Sequence, residues 1–415
     1  MELSRFFTRA TILRVHSKVL LTGICLAASA VSADSPANAA TRLAASLSSG
    51  KVQLRFEPNG FGYLRGLLDN LGINADTQVL VFSKTSFQSD RIGPENPRAI
   101  YFNEDVFVGF VPGGEVYEII AVDPTNGLQF YTLSTHAQDK PALRQRGGDC
   151  LSCHASVNPA APGLMIGSVY PGADGVPFTP GATAFSMTNQ HTPFDNLWGG
   201  WYVTGTHGRQ HHLGNAVAMD PTRPFDLQQD GTQNLSSLQN RFDTSRHIVP
   251  SSDIVALMTL NHQVQATNLM TSLNARTRGL ISLDNLDREN RKAVEANIEA
   301  LAVCLLYADA ISLSDPIRGV STFAETFPHA GPHDPEGRSL RDFDLKTRLF
   351  RYSLSYMIYS SAFNALNPQV KALVYRRLID VLSEKDKSPA FSKVSSEDRK
   401  TALEILRATC RDLPE

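Results

Sequence analysis

The sequence is poor in cysteine and has no excess of charge of either sign. Its 415 residues contain 5 Cys, and 39 Lys and Arg against 41 Asp and Glu give a formal net charge of −2. The basic residues are scattered, which argues against nucleic acid and anionic lipid as binding partners. Five cysteines are too few to staple a chain of this length. We therefore expect no nucleic-acid partner and a fold that depends on its hydrophobic core.

Internal repeats are also missing, and low-complexity sequence is confined to the N-terminus. Hydrophobic residues make up 42%, charged residues 19% and aromatic residues 8% of the chain. These proportions are typical of globular proteins and exclude collagen-like, coiled-coil and wholly disordered chains. A chain of this length is large enough to bury a core of its own.

The N-terminus has the pattern of a secretory signal peptide. Basic residues precede an apolar run over 19–33, and small residues follow it. The run is about 15 residues long, below the roughly 20 that a helix needs to span a bilayer. Cleavage after Ala39 is preferred over cleavage after Ala30 or Ala33, so residues 1–39 are predicted to be the signal peptide. We expect a periplasmic or secreted protein with no integral membrane span after cleavage, a retained membrane anchor being the alternative.

One short motif carries recognisable chemistry. Cys150, Cys153 and His154 form Cys-x-x-Cys-His, the attachment pattern for c-type haem. Two thiols at this spacing reach the two vinyl groups of one porphyrin, and the imidazole that follows faces the iron. The sequence therefore predicts one covalent haem c on Cys150 and Cys153, with His154 as the proximal iron ligand.

Two other chemistries use the same residue types. A Cys-x-x-Cys dithiol or disulfide of the thioredoxin kind requires a strand before the motif and a helix after it. Here the motif lies in a Gly-rich stretch that runs toward Asn158 and Pro159, which fits that fold poorly. A zinc site requires a second ligand pair, and the remaining candidates, Cys304 and Cys410, are far apart in sequence. The context favours haem.

The residue opposite His154 decides what such a haem does. A second protein ligand closes the iron and suits electron transfer, whereas an open iron binds small molecules. The distal candidates are His207 and His212, in a segment dense in histidine and glycine, and His262, one helical turn after Met258. For each histidine, a hydrogen-bonded structural role is the alternative. Further candidates, for which core packing is the alternative explanation, are Met165, Met187 and Met219.

The first half of the chain is rich in strand signals. Between residues 77 and 134, short segments of β-branched and aromatic residues are separated by Pro, Gly, Asn and Asp. Asn126 and Gly127 are expected to supply the positive φ angles of a tight hairpin. A helix is predicted before these strands, ending at Gly72, and long loops are predicted over 155–250.

The last third has helical periodicity. Ser251 and Ser252 are predicted to cap a helix with one apolar stripe, and a second helix carries Cys304. A polar loop then leads into 344–366, which is also expected to be helical. Further helices are predicted to begin at Asn367 and, as a capping box, at Ser395.

The predicted fold class is α+β, with a β-rich N-terminal half that carries the haem-binding loop region and an α-helical C-terminal half. The predicted organisation is a signal peptide at 1–39, a β-rich haem-binding region at 40–250, and an α-helical region at 251–415 packed against it.

Several stretches resemble a family of exported, mostly uncharacterised bacterial proteins that contain a c-type cytochrome domain. They are TQVLVFSKTSFQSDRIGPENPRAIYFNEDVFVGFV, GGDCLSCHAS, GSVYPGADG, WGGWYVTGTHGRQHHLGN and GRSLRDFDLKTRLFRYSLSYMIYSSAF. The resemblance implies covalent haem at Cys150 and Cys153 and proximal ligation by His154. The chain departs from small cytochromes c because about a hundred residues of strand-like sequence precede the motif.

The expected function is that of an exported monohaem c-type cytochrome that transfers electrons to or from a redox partner protein or a small electron carrier. The alternatives are a peroxidase-like haem enzyme with an open distal site and a haem-based sensor. Whether the chain is an enzyme is left open at this stage.

Overall fold

The centre of the structure is an antiparallel sheet. The computed structural model describes residues 38–157, 160–178 and 185–413. Seven strands are hydrogen-bonded in the order β6-β5-β4-β3-β2-β1-β9, and β7 and β8 pair separately. The strands are β1 Val79–Val81, β2 Arg98–Phe102, β3 Val106–Phe110, β4 Val116–Asp123, β5 Gly127–Ser134, β6 Arg144–Arg146, β7 Gly167–Ser168, β8 Ser186–Met187 and β9 Trp201–Tyr202.

The predicted hairpin joins β4 to β5, but its turn differs from the expected one. Gly127 has a φ of 71°, whereas Asn126 does not enter the positive-φ region. The Asp123 carboxylate instead accepts hydrogen bonds from the N–H groups of Thr125 and Asn126, at 3.0 and 2.8 Å. One glycine and one aspartate therefore make the turn, in place of two residues with positive φ.

Both faces of the sheet are covered. Because side chains alternate along each strand, Val79, Phe107 and Phe130 face a cluster that includes the long C-terminal helices. Their neighbours on the opposite face pack against the two N-terminal helices. The helices are α1 Ala39–Ser48, α2 Leu64–Leu71, α3 Gly148–His154, α4 Ile254–Thr277, α5 Arg288–Leu305, α6 Phe323–Thr326, α7 Ser361–Asn364, α8 Pro368–Leu382 and α9 Ser396–Thr409.

The helix predicted after Ser252 is present as α4, but two of its expected features are wrong. Its N-cap is Asp253, whose side chain accepts the N–H of Val255 at 2.8 Å. Ser252 bonds the sheet instead, donating to the carbonyl of Tyr202. Most of α4 is buried on every side, so polar residues such as Asn261 are as enclosed as the apolar stripe. A helix that other elements surround has no solvent-exposed face, so its sequence does not show the alternation of apolar and polar residues that marks an amphipathic helix.

The helix expected over 344–366 does not form over most of that length. The Asp344 carboxylate accepts backbone N–H groups from residues two to four positions later. Leu345 then adopts a φ of 57°, and Phe343 pairs with Phe350 across the turn. An aspartate that binds the backbone ahead of it competes with helix formation. Only a short 3-10 helix and α7 remain helical here.

The other helix boundaries follow the sequence signals. Gly72 ends α2 in the left-handed conformation, with a φ of 66°. Asn367 caps α8, and Ser395 caps α9 by accepting the N–H of Asp398.

The protein is an α+β protein, with the antiparallel sheet in the N-terminal region and helices in the C-terminal half. The described residues cluster as one compact unit. The predicted signal peptide at 1–39 lies, except for its last two residues, outside the described residues. Within the described ranges, no helix is both long enough and apolar enough to cross a membrane.

Candidate functional site

The Cys-x-x-Cys-His motif lies on α3, which begins directly after β6 and not in a loop as expected. Cys150 and His154 are four residues apart on this helix and so share one face. Cys150 packs against the main hydrophobic cluster, whereas Cys153 is exposed. Both thiols are free. Burial is the main cause that raises the pKa of the Cys150 thiol.

The imidazole of His154 is held in one orientation. Its Nδ1 atom lies 2.7 Å from the carbonyl oxygen of Gly163, and the N–H of Gly163 donates back to the carbonyl of His154 at 2.9 Å. Because a carbonyl only accepts, Nδ1 carries the proton and Nε2 keeps a free lone pair. Burial lowers the pKa of His154 below its usual value, which also favours the neutral ring. A neutral imidazole oriented through Nδ1 is the usual form of a metal-ligating histidine.

The segment that carries the Gly163 carbonyl is held in place by hydrogen bonds to α4. Asn268, on α4, accepts the N–H of Leu164 at 2.7 Å and donates to the carbonyl of Leu164 at 3.0 Å. Gly163 has no room for a side chain, since a β-carbon there would lie 2.6 Å from Val157. The other side of the His154 ring meets Phe130 of β5, with ring centroids 4.9 Å apart. The histidine is therefore fixed between the sheet and α4.

An ion pair lies on the same face of the sheet as Phe130. Arg98 Nη2 is 2.8 Å from Glu118 Oε2, and both side chains are mostly buried. The guanidinium lies across Gly109, where a β-carbon would be 2.6 Å from Nη2. Both charges act electrostatically on His154. The Nε atom of Arg98 is buried and has no hydrogen-bond partner in the described part of the chain.

Large apolar side chains are exposed around the motif. Leu151 of α3 is 37% exposed, and Met165, two residues after Gly163, is also 37% exposed. Met187, which pairs with Gly167 across the small sheet, is 43% exposed. These three side chains leave apolar surface open to solvent on segments that flank the motif.

These residues fit a covalently attached haem. Cys150 and Cys153 supply the thiols and His154 supplies an imidazole with a free nitrogen. Among the described residues, the motif included, no group of three or more His, Cys, Asp or Glu side chains is placed to hold a bare metal ion.

Two of the three distal candidates have both ring nitrogens engaged. His207 donates from Nδ1 to the carbonyl of Gln210 and accepts the N–H of Asn234 at Nε2. His262 contacts Gln190 and Ser355 through its two nitrogens, each at 2.6 Å. In this structure each of the two histidines has the hydrogen-bonded role that was the alternative to ligation.

His212 differs from the other two candidates. Its Nδ1 accepts the N–H of Gly214 at 3.0 Å, while the buried Nε2 has no partner among the described residues. Its ring lies 4.7 Å from that of His207 and 5.5 Å from that of Trp198. Burial lowers the pKa of His212 to about 3. No hydrogen bond or ring contact between described residues joins any of the three candidates to His154.

The three candidate methionines are all on the surface. Met219 is 57% exposed, and Met165 and Met187 are exposed by more than a third. Core packing, the alternative explanation of these residues, therefore does not account for them.

Sequence reasoning missed the residues that support His154. Gly163, Arg98 and Glu118 lie in no motif, and only the folded chain brings Arg98 and Glu118 beside α3. Compared with known proteins, the chain matches no protein-family model, no curated protein and no solved structure.

Proposed function

We propose that this protein is an exported monohaem c-type cytochrome that transfers electrons. The observation that carries the proposal is the state of His154, whose Nε2 is left free because Nδ1 donates to the Gly163 carbonyl. This occurs on the same short helix as Cys150 and Cys153. A free imidazole nitrogen next to two free thiols is the donor set that c-type attachment requires.

The residues of the site have distinct roles in this proposal. When bound, the haem supplies one-electron iron chemistry. Cys150 and Cys153 anchor it, and His154 ligates it in the orientation that the Gly163 carbonyl sets. Phe130 shields one side of the imidazole from water. A redox partner protein or small electron carrier exchanges electrons at the exposed surface beside Cys153.

Replacement of both motif cysteines tests the attachment. The wild-type protein, produced in a bacterium that matures c-type cytochromes, is expected to retain one haem after denaturation. The double variant Cys150→Ser, Cys153→Ser is expected to lose it, because no thioether can form. Intact mass and the absorption spectrum of denatured protein measure the difference. Cys410→Ser, which leaves the motif unchanged, is the control and should retain haem.

Two results would refute the attachment. One is colourless wild-type protein of unmodified mass, and the other is covalent haem in the double variant. The spectrum of the native protein then separates an electron carrier from an enzyme. A carrier is expected to show low-spin haem that carbon monoxide and cyanide leave unchanged, whereas high-spin haem that binds them would replace the carrier by the enzyme alternative.

A further inference from the structure

One peptide unit connects α4 to the imidazole of His154. The carbonyl of Gly163 and the N–H of Leu164 belong to the same amide. The carbonyl accepts the Nδ1–H of His154 at 2.7 Å, and the N–H donates to Oδ1 of Asn268 at 2.7 Å. The Asn268 side chain and the His154 ring therefore bind the two ends of one amide.

A hydrogen bond to the N–H of an amide polarises its carbonyl. Electron density moves toward the oxygen, which becomes a better acceptor, so successive bonds in such a chain strengthen one another. Electrostatic effects of this kind are stronger where water is excluded. Leu164 is 3% exposed and belongs to the main hydrophobic cluster. Asn268 Oδ1 therefore strengthens the hydrogen bond that His154 donates to Gly163.

The peptide unit is held in this position from several sides. Asn268 also donates from Nδ2 to the carbonyl of Leu164, at 3.0 Å. The N–H of Gly163 donates to the carbonyl of His154 at 2.9 Å. A β-carbon at Gly163 would lie 2.6 Å from Val157 and 3.2 Å from Oδ1 of Asn268, so only glycine lets the backbone approach both.

The hydrogen bond at Nδ1 determines how strongly His154 can donate electrons from Nε2. A better acceptor at Nδ1 draws the proton away from the ring and makes the other nitrogen more basic. A more basic axial ligand stabilises ferric over ferrous iron and so lowers the reduction potential. Hydrogen bonds around an axial histidine are therefore one means by which a protein sets that potential.

We propose that Asn268 is a positioning residue that lowers the reduction potential of the haem by acting on His154 through the peptide unit of Gly163 and Leu164. This inference rests on the proposed function, because it applies to a haem that His154 ligates. Asn268 lies on α4, 104 residues after Leu164, so the long C-terminal helix takes part in setting the properties of the motif.

The hydrogen bond of His154 can be measured without haem. In the full-length double variant Cys150→Ser, Cys153→Ser, the Nδ1–H proton resonance of His154 reports the strength of its hydrogen bond. Asn268→Leu removes the acceptor for the Leu164 N–H and should move this resonance upfield. Asn268→Asp places a negatively charged acceptor there and should move the resonance downfield at pH 7.

The signs of the two shifts decide the outcome. Unless they are opposite, the proposal is wrong, because a merely structural role of Asn268 would loosen the segment in both variants and move both resonances upfield. If Asn268→Leu does not fold, the downfield shift expected of Asn268→Asp decides alone.

A redox titration of the haem-loaded protein measures the consequence. At the midpoint potential of the wild type, Asn268→Leu should raise the ratio of reduced to oxidised protein by about twofold or more, because a weaker hydrogen bond disfavours ferric iron. Asn274→Leu is the matched control. Asn274 lies on the same helix and donates to the carbonyl of Ala362 at 3.3 Å, so its replacement should leave the ratio unchanged.

These measurements separate the role of Asn268 from the proposed function. Covalent haem with an unchanged potential in Asn268→Leu would refute the role of Asn268 and leave the cytochrome intact. An equal rise in Asn274→Leu would also refute it, because any lost contact of α4 would then have the same effect. Protein that attaches no haem would refute the cytochrome and the effect on the potential, while opposite shifts of the His154 resonance would still show the chain of hydrogen bonds.

Discussion

Asn38 links the start of α1 to the β4–β5 hairpin. Its Oδ1 accepts the N–H of Thr41, which caps the helix. Its Nδ2 donates to the Asp123 carboxylate and to the hydroxyl of Tyr131, each at 3.0 Å. The residue is 2% exposed. A single side chain therefore satisfies a helix terminus and two groups of the sheet.

This role bears on where the predicted signal peptide would be cut. Cleavage after Ala39 would remove Asn38 and leave the buried groups of Asp123 and Tyr131 short of a donor. We therefore expect the mature chain to begin upstream of Asn38, at the alternative sites after Ala30 or Ala33. N-terminal sequencing of the exported protein measures the cut.

A stability measurement checks the same point. If Asn38 is retained, Asn38→Ala should lower the free energy of unfolding of the exported protein by about 1–3 kcal/mol, as expected for a lost cap with unsatisfied buried partners. A mature N-terminus at Ala40, with no effect of the substitution, would show that this contact is absent from the mature protein.

At the residue scale, the sequence identified the motif but not its surroundings. Cys150, Cys153 and His154 are recognisable because their spacing is local. The bond of His154 to Gly163 and the Arg98–Glu118 pair depend on loop geometry and strand pairing, which leave no local signal in the sequence. The sequence also did not show that both ring nitrogens of His207 and of His262 are hydrogen-bonded.

Among the elements, α4 depends on one buried aspartate. Asp253 caps the helix through Oδ1 and is fully buried. Its Oδ2 accepts the N–H groups of Val320 and Ser321, each at 2.8 Å. The backbone of Gly319 approaches this carboxylate so closely that a β-carbon at this position would lie 2.4 Å from Oδ2. The carboxylate thus fastens a distant loop to the N-terminus of α4.

We expect Asp253→Ala to lower the free energy of unfolding by about 3 kcal/mol or more. The variant loses a helix cap, worth about 1 kcal/mol, and leaves buried N–H groups without acceptors, at about 1–3 kcal/mol each. Urea denaturation followed by circular dichroism measures the loss.

Asp287→Ala is the matched control for that substitution. Asp287 caps α5 by accepting the N–H of Asn290 at 2.8 Å, but in an exposed position. Its loss should cost only about 1 kcal/mol. Similar losses in the two variants would mean that the contacts of Asp253 with the distant loop add no stability.

For the molecule as a whole, four buried histidines of the described chain make stability depend on pH. Burial lowers the pKa of His212 and His262 to about 3 and that of His247 to about 4, and it also lowers the pKa of His207. In the unfolded chain a histidine titrates near pH 6.5. The unfolded state therefore binds more protons than the folded state between these values. Stability is fully present above about pH 6.5 and is lost as pH falls toward 4.

Urea midpoints between pH 7 and pH 5 should therefore fall, with each buried histidine raising the unfolding constant by up to about tenfold per pH unit. His247→Gln should flatten this dependence, because a glutamine amide can still donate to the Pro97 carbonyl that His247 Nε2 contacts at 2.9 Å. His333→Gln, at an exposed histidine, should leave the slope unchanged. A slope that His247→Gln does not alter would rule out a titration at this position.

The sequence by itself determined the β-rich N-terminal half and the helical C-terminal half, the β4–β5 hairpin, the caps of α8 and α9, and the Cys-x-x-Cys-His motif. Each depends on residues within one turn or a few positions, so local preferences are sufficient to encode it. Only the tertiary structure decided that β9 pairs with β1 and that α4 is enclosed on every side. It also decided which histidine nitrogens are free and which are hydrogen-bonded. These features depend on hydrogen bonds and buried contacts between residues that are distant in sequence. A local sequence pattern does not encode which distant residues will meet.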